Sequence, residues 1–400
     1  MKILMVNKFL FPHGGSETYI FDVGKQLSQM GHEVQYFGMD AKERIVGNRV
    51  NSYTASMDFH TNGLQKLLYP FKIIYSMEAR KKIRLVLDDF APDIVHLNNI
   101  NFQLTPSIIH EIDYWRKKRK KKVKIVYTAH DAQWVCPNHL MMVPSTKERC
   151  LKCKDGRYRE CIRQRCIHNS KVKSILAAIE AWLFKKMKIY EKVDTVICPS
   201  RFMKSVLSNN PAIKEKLIVL HNYCAIESEK AYAKKDYILY FGRYSEEKGI
   251  SLLAEVCKEL SHIPFIVAGD GPLKELLESL NNVKNMGFLN GKELESAIGE
   301  ARIVIVPSLC YENCPFTVIE AQRLGTPVIA SNLGGIPELI DQGKTGEVFE
   351  PGNRKELEKL IRQLWSDTEK IENYSRYCKQ KEFDSLGDYC NHILKIYEGD

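Results

Sequence analysis

No stretch of this 400-residue chain holds the roughly 18 uncharged apolar residues that a membrane-spanning helix needs. The nearest approach, Ile175 to Ile189, is broken by Glu180, Lys185, Lys186 and Lys188. The short apolar start, Met1 to Val6, lacks a small-residue cleavage site, so it reads as a first strand and not as a secretory signal. Short-period repeats are also missing, as are low-complexity segments beyond one basic run, which argues against solenoids and fibrous arrays. No Asp-x-Asp pair occurs, which removes a common way of presenting a catalytic divalent metal. The expectation is a soluble, cytoplasmic, globular protein.

At 44% hydrophobic residues, the chain can bury more than one core, because single cores stop growing near ~250–300 residues. The net charge of +10 is uneven. Residues 1–200 carry 34 Lys and Arg against 19 Asp and Glu, giving +15; residues 201–400 carry 25 against 30, giving −5. Such a split points to an anionic partner for one half. Of twelve cysteines, five lie between Cys136 and Cys166. Disulfides are disfavoured in a reducing compartment, so clustered cysteines there point to metal.

Strand, glycine turn and helix alternate along the chain. Lys2–Asn7 reads as a buried strand, Gly14-Gly15 as the turn, and Ser16–Met30 as an amphipathic helix with Ser16 as N-cap. Strands follow at 33–38, 94–97, 124–128, 195–198 and 217–220. A second series has strands at 237–242, 265–268, 303–307 and 327–330, with helices at 251–260, 272–279 and 318–324. Alternation of this kind argues for parallel sheets with helices on both faces. The polar stretch 223–236 reads as a linker, and 371–398 as helical. The resulting division is 1–222 with a Cys-rich insertion at 136–168, then 237–375, then a C-terminal helix at 376–400 that crosses back to the first domain.

Several residues sit where parallel sheets bind ligands. Gly14 and Gly15 let backbone approach an anion at a helix N-terminus, although turns use glycine for many reasons. No third glycine follows, which argues against a dinucleotide fingerprint. Gly242 and Arg243 end one strand, and Lys248 opens the next helix. Arginine grips phosphate oxygens bidentately and lysine adds a point charge; the plainer reading is two solvated cations. Gly269 lies in another such loop, where Asp270 is read as a helix cap. Glu312 lies in a loop and Glu320 one turn into the following helix, where a carboxylate can accept hydrogen bonds from a diol such as ribose. The N–H groups from Asn313 to Thr317 face the helix start. His130 ends a first-half strand; lone histidines are more often structural.

Taken together, these pieces resemble the family-4 retaining glycosyltransferases. The matching segments are Gly-Gly-Ser-Glu-Thr at 14–18, Tyr-Thr-Ala-His-Asp at 127–131, Cys-Pro-Ser at 198–200, Phe-Gly-Arg-Tyr-Ser-Glu-Glu-Lys-Gly at 241–249, Ala-Gly-Asp-Gly-Pro at 268–272, the glutamates 312 and 320, Leu-Gly-Thr-Pro-Val-Ile-Ala at 324–330 and Gly-Gly-Ile-Pro-Glu-Leu-Ile at 334–340. The resemblance implies a GT-B fold, two Rossmann-like domains with parallel sheets facing across a cleft. It further implies transfer of a sugar from a UDP- or GDP-sugar to a glycan or lipid-linked acceptor, with retention of configuration, in surface polysaccharide or glycoconjugate synthesis. By the same resemblance Arg243 and Lys248 hold the donor diphosphate, and Glu320 the ribose. Glu312, with Asn313, Cys314, Pro315 and Phe316, meets the donor sugar; Gly14 and Gly15 lie near the diphosphate, and His130 lies near the reaction centre. Catalysis is expected to need no cofactor. One departure is Thr317, where many relatives have glycine, and it loosens the link to any one donor.

Two features stand outside that pattern. Cys150 and Cys153, then Cys161 and Cys166, form two knuckle-like pairs that fit a structural tetrahedral zinc site; a reduced, loop-packing cluster is the other reading. Cys136, His139 and His168 are substitute ligands. The run from Trp115 to Lys122 fits an anionic membrane surface, giving a peripheral association at its inner face; a solvated helix end is the plainer reading. Nucleic acid is not expected, because no aromatic-interleaved module accompanies the run. The rival functions are a sugar-nucleotide epimerase on the same fold and a nucleic-acid-binding module.

Overall fold

The computed structural model describes residues 1–55, 74–101, 103–227 and 230–399. Two residues of the expected linker, 228 and 229, lie outside them. The chain forms two compact units. The first comprises Met1–His221 and the segment from Cys390 onward; the second is Asn222–Tyr389. The stretch expected as a linker belongs to the second unit, where Tyr223 and Cys224 are buried.

The first unit is a six-stranded parallel sheet of β1 (Lys2–Val6), β2 (Glu33–Phe37), β3 (Ile94–Leu97), β4 (Lys124–Thr128), β5 (Thr195–Cys198) and β6 (Leu217–Val219). Its spatial order is β2-β1-β3-β4-β5-β6. The order reverses between β1 and β3, and that point lies next to the Gly14-Gly15 turn. The helix after this turn is Gly15–Gln29, with Gly14 as N-cap and no side-chain cap. Ser16 is therefore not the cap; its hydroxyl instead accepts a hydrogen bond from Asn99 Nδ2 at 2.8 Å. Tyr19, Ile20, Val23 and Leu27 form the buried stripe.

The second unit repeats the plan with β7 (Ile238–Phe241), β8 (Phe265–Ala268), β9 (Val283–Asn285), β10 (Ile303–Val306), β11 (Val328–Ser331) and β12 (Gly346–Phe349). The order is β12-β11-β10-β7-β8-β9, all parallel. Strand alternation explains why both faces are dry. Ile238, Tyr240, Phe265, Val267, Ile303 and Ile305 enter one core, while Leu239, Phe241, Ala268, Val304 and Val306 enter the other. Each fully buried aliphatic chain contributes about 1.5–3 kcal/mol. The three-residue β9 and the glycine-led β12 give too little periodic signal to be read from sequence.

The C-terminal segment is two helices, Thr368–Gln380 and Leu386–Glu398, rather than one helical run. Near its end, Tyr397 lies in the first unit and is hydrogen-bonded to His96 at 2.6 Å.

Candidate active site

In the second unit the strand order reverses between β7 and β10, and in open parallel sheets ligands bind outside the carboxyl ends of strands at such a switch point. The loops leaving these two strands carry Arg243, Lys248 and Glu312. After β10, Ser308 and Glu312 turn back toward a single helical turn, Glu246–Lys248. Lys248 Nζ meets Glu312 Oε1 at 2.6 Å, and Ser308 Oγ donates to the same oxygen at 2.7 Å. The backbone ties the loops together as well: Leu309 N donates to Glu247 O at 2.9 Å.

The electrostatics follow from burial opposed by pairing. Burial acts to depress the Lys248 ammonium, but Glu312, Cys310 and Glu247 outweigh it and hold its pKa above the ordinary value. Burial acts to raise Glu312, but the charge and hydrogen bond of Lys248, with Ser308, hold it below the usual carboxylate range. Both groups are thus charged at neutral pH. Arg243 differs. Its side chain is exposed and has no carboxylate partner among the described residues, while its carbonyl accepts from Tyr240 Oη at 2.7 Å. The backbone is thereby anchored at this position. Ser245 Oγ, between the two cations in sequence, is buried without a hydrogen-bond partner among the described residues.

Glycine is demanded here by close packing. Gly249 has φ +78°, and a Cβ there would lie 1.9 Å from Pro307 O. Gly269 has φ +147°, and its Cβ would meet Gly242 O at 1.9 Å. The glycine at 269 is thus fixed by the backbone of Gly242, while Gly242 has φ +143° and a Cβ there would lie 3.3 Å from Tyr240 Oη, origins separate from ligand approach. Asp270 is not a helix cap, because the helix starts later, at Lys274 with Leu273 as N-cap. The carbonyl of Asp270 instead accepts from Tyr244 N at 2.8 Å.

The helix Phe316–Arg323 begins at Pro315 without a side-chain cap and carries Glu320 in its second turn, half-buried. Cys314 does not offer its side chain to this edge. It is buried in the core, and Asn222 fastens it by donating from its backbone to Sγ at 3.3 Å and from Nδ2 to the Cys314 carbonyl at 2.7 Å. Phe316 packs edge-on against Tyr223, with centroids 5.3 Å apart. Asn313 and Pro315 lie on the same turn.

In the first unit, His130 follows β4 and is half-buried. Its Nε2 lies 2.9 Å from Asn98 Oδ1, and its ring meets Tyr19 edge-on with centroids 4.9 Å apart. Asn98 Nδ2 donates to the carbonyls of Val6 and His96, so Oδ1 is the atom that faces the imidazole and Nε2 carries the proton. Burial pushes the His130 pKa down to about 4 against the opposing pull of Asp131. The imidazole is neutral at physiological pH, with Nδ1 as its acceptor nitrogen. Beneath it runs a buried chain from Tyr397 through His96 and Thr128 to Tyr19, with links of 2.6, 2.7 and 3.2 Å. Asn98, His96 and Tyr19 were missed by sequence reasoning. Their one available signal was position, just beyond or within β3 and on the first helix, beside the reversal point.

Gly14 and Gly15 are exposed. Gly14 O accepts from Glu17 N and Thr18 N, each at 3.1 Å, and buried Glu17 accepts from Asn7 Nδ2 at 2.8 Å. The basic run 115–122 is mostly engaged within the unit. Trp115 donates to Asp88, Arg116 pairs with Asp113 and Asp194, Lys117 with Asp113, Arg119 with Asp88 and Lys121 with Asp93. Lys118, Lys120 and Lys122 have no carboxylate partner among the described residues. No described helix is long and apolar enough to cross a membrane.

Residues 13–225 match the model of glycosyltransferase family 4, and residues 225–381 match that of glycosyl transferases group 1. The chain belongs to glycosyltransferase family 4. An uncharacterised 42.6 kDa protein from the cps region of Klebsiella pneumoniae is 25% identical over 85% of this chain and 87% of its own length. A sulfoquinovosyl transferase of Arabidopsis thaliana is 33% identical over 37% of this family-4 chain, a match covering 30% of the plant protein. The chain thus spans well under two thirds of some relatives it matches. Among solved structures, sucrose-phosphate synthase from Thermosynechococcus elongatus superposes with a TM-score of 0.68 at 15% identity, covering 99% of this chain and 98% of that one. Anabaena Alr3699/HepE in complex with UDP and glucose gives 0.66 at 17% identity, with both chains fully covered. These likenesses establish the GT-B architecture of the family-4 chain, two parallel α/β sheets.

Proposed function

We propose that this chain transfers a sugar from a nucleoside-diphosphate sugar to a glycan or lipid-linked acceptor with retention of anomeric configuration. One observation carries the reading: Arg243, without a carboxylate partner among the described residues, and the Lys248–Glu312–Ser308 cluster both lie on the loops leaving the carboxyl ends of β7 and β10, where the strand order reverses. The diphosphate gathers negative charge as the bond to the sugar breaks. Fixed cations and uncapped helix N–H groups stabilise that charge without reorganising. Arg243 and Lys248 take this role and replace a metal bridge. Glu320 accepts from the ribose hydroxyls, and Glu312 and the turn at 313–316 meet the donor sugar through backbone and carboxylate. Neutral His130 presents Nδ1 as an acceptor to the sugar. The bound UDP of Anabaena Alr3699/HepE makes uridine diphosphate the first donor class to test.

The acceptor assignment rests on the cps-region relative and on Lys118, Lys120 and Lys122, which leave a small cationic face for an anionic lipid surface. The test is thermal shift against a panel of UDP-, GDP- and ADP-sugars, followed by proton NMR of the product anomer. Stabilisation by one sugar nucleotide and an anomeric configuration matching the donor are expected. No stabilisation by any member at millimolar concentration would refute the donor site. Turnover to an isomerised sugar nucleotide without acceptor would turn the reading to an epimerase.

A further inference from the structure

Five thiols meet in the first unit, outside the candidate active site. Cys136, Cys150, Cys153, Cys161 and Cys166 all line one cavity of about 10 Å³, room for a single atom-sized occupant. All five are free thiols. One cluster in the core of this insertion consists of Cys153, Tyr158, Cys161, Cys166 and Ala178, with Ile162, Ile167 and Ala181 at its edge, and Met141 and Val143 are buried besides. So few apolar side chains for some thirty residues of largely irregular chain is the situation in which small folds are stapled by a disulfide or a metal.

The backbone makes the same demand. Of eleven non-glycine residues with positive φ among the described residues, five lie here, His139, Met141, Lys147, Arg165 and His168, and Asn169 follows directly. Left-handed turns at such residues persist only where the surroundings over-determine them. The charge is also complementary. Residues 136–168 carry eight Lys and Arg against three Asp and Glu, a local excess of +5.

We propose that this cluster binds one zinc ion through Cys150, Cys153, Cys161 and Cys166. Cys136 is the bystander, since its sulfur already donates to Asn138 Oδ1 at 2.9 Å. Among the described residues no three such side chains already converge on one ion position; Cys161 and Cys166 instead hydrogen-bond each other. Binding turns the four sulfurs into the cavity about χ1 and brings them to about 2.3 Å from the ion. Four S–H bonds break, four Zn–S bonds form and four protons leave to solvent, giving a tetrathiolate of charge −2 that the surrounding cations balance. The ion is structural, with no open coordination position for substrate.

The test is elemental analysis of the full chain purified without chelator, followed by replacement with Co²⁺. One zinc per chain and the strong ligand-field bands of tetrahedral cobalt thiolate are expected. Cys136→Ser keeps both signals; Cys153→Ser and Cys166→Ser lower the metal content at least tenfold. Should those two variants fail to fold, release of zinc from the wild-type chain by a mercurial, with four thiols titrated per ion, carries the same information. A folded, metal-free wild-type chain that takes up no Co²⁺ overturns the site. Loss of metal in Cys136→Ser overturns the choice of ligands.

Discussion

Replacing Lys248 by methionine keeps the length of the side chain and deletes one half of a buried charge pair. Glu312 is then left in place with Ser308 alone. Its side chain is 13% exposed and that of Lys248 is 35% exposed. Removing one partner of a buried pair costs about 3–5 kcal/mol; the partial exposure of Lys248 puts the expectation lower, at about 2–3 kcal/mol. The pH dependence carries the diagnosis. In the wild type, Glu312 titrates below its unfolded value of 4.5, so its contribution is present above pH 4.5 and is lost as pH falls through the folded value. In Lys248→Met the burial that Lys248 opposed prevails, and the folded pKa rises above 4.5. The deficit of the variant is therefore greatest at neutral pH and shrinks on acidification from the variant's folded pKa, above 4.5, down through the wild type's, below 4.5. Adding Glu312→Gln removes the bare charge and recovers about 1–2 kcal/mol, a coupling within the range for contacting residues. Urea unfolding of the four members of the cycle at pH 4 and pH 7 measures this. The two units need not unfold together, so the transition of the second unit is the one compared. A loss under about 1 kcal/mol that does not change with pH and is not recovered in the double variant would refute the reasoning.

Arg243→Ala should leave stability within about 0.5 kcal/mol, because the side chain is exposed and carries no pair, while kcat/KM for the donor falls roughly 100-fold or more; equal turnover would remove Arg243 from the diphosphate site. Gly249→Ala meets both a positive φ and the Pro307 carbonyl, so the second unit should lose about 2 kcal/mol or more, read by chemical denaturation. His96 and His130 are held down to about 3 and about 4, both first by burial. A histidine whose folded pKa lies below its unfolded value of 6.5 favours unfolding when it protonates, so stability of the first unit should fall as pH drops from 6.5 toward 4. The slope approaches about 1.4 kcal/mol per pH unit for each histidine, and His96→Gln should flatten it. Asn98→Ala frees the His130 Nε2–H, and kcat should fall more than donor KM rises; unchanged kcat would leave His130 a packing residue.

Much of the fold was legible because its signals are local. Ile303–Val306 is apolar at every position and ends at a proline, so a strand buried on both faces was readable. Gly14-Gly15 before a periodic stretch announced a turn and a helix, although the cap fell two residues earlier than expected. The strand-end positions of Arg243 and Lys248 were readable as candidate phosphate ligands, and Glu320 as an acceptor for a diol, from sequence alone. Legibility ended where a residue's role depends on a distant neighbour. Cys314 sits in the turn expected to meet the donor, yet Asn222 and the core claim its side chain. Asp270 had the chemistry of a cap and the helix began elsewhere. The run 115–122 looks uniformly basic, but Asp88, Asp93, Asp113 and Asp194 neutralise four of its cations.

The sequence by itself determined the alternation of strands and helices, the glycine turns at the strand ends and the inventory of cations and carboxylates, because periodicity and backbone freedom are properties of neighbouring residues. Only the tertiary structure decided which of those groups are paired, buried or free. Strand order brings Glu312 to Lys248 across 64 positions of sequence and leaves Arg243 open, and burial beside Asn98 fixes the proton of His130. Charge pairing and desolvation act through space between distant segments, and no local pattern encodes them.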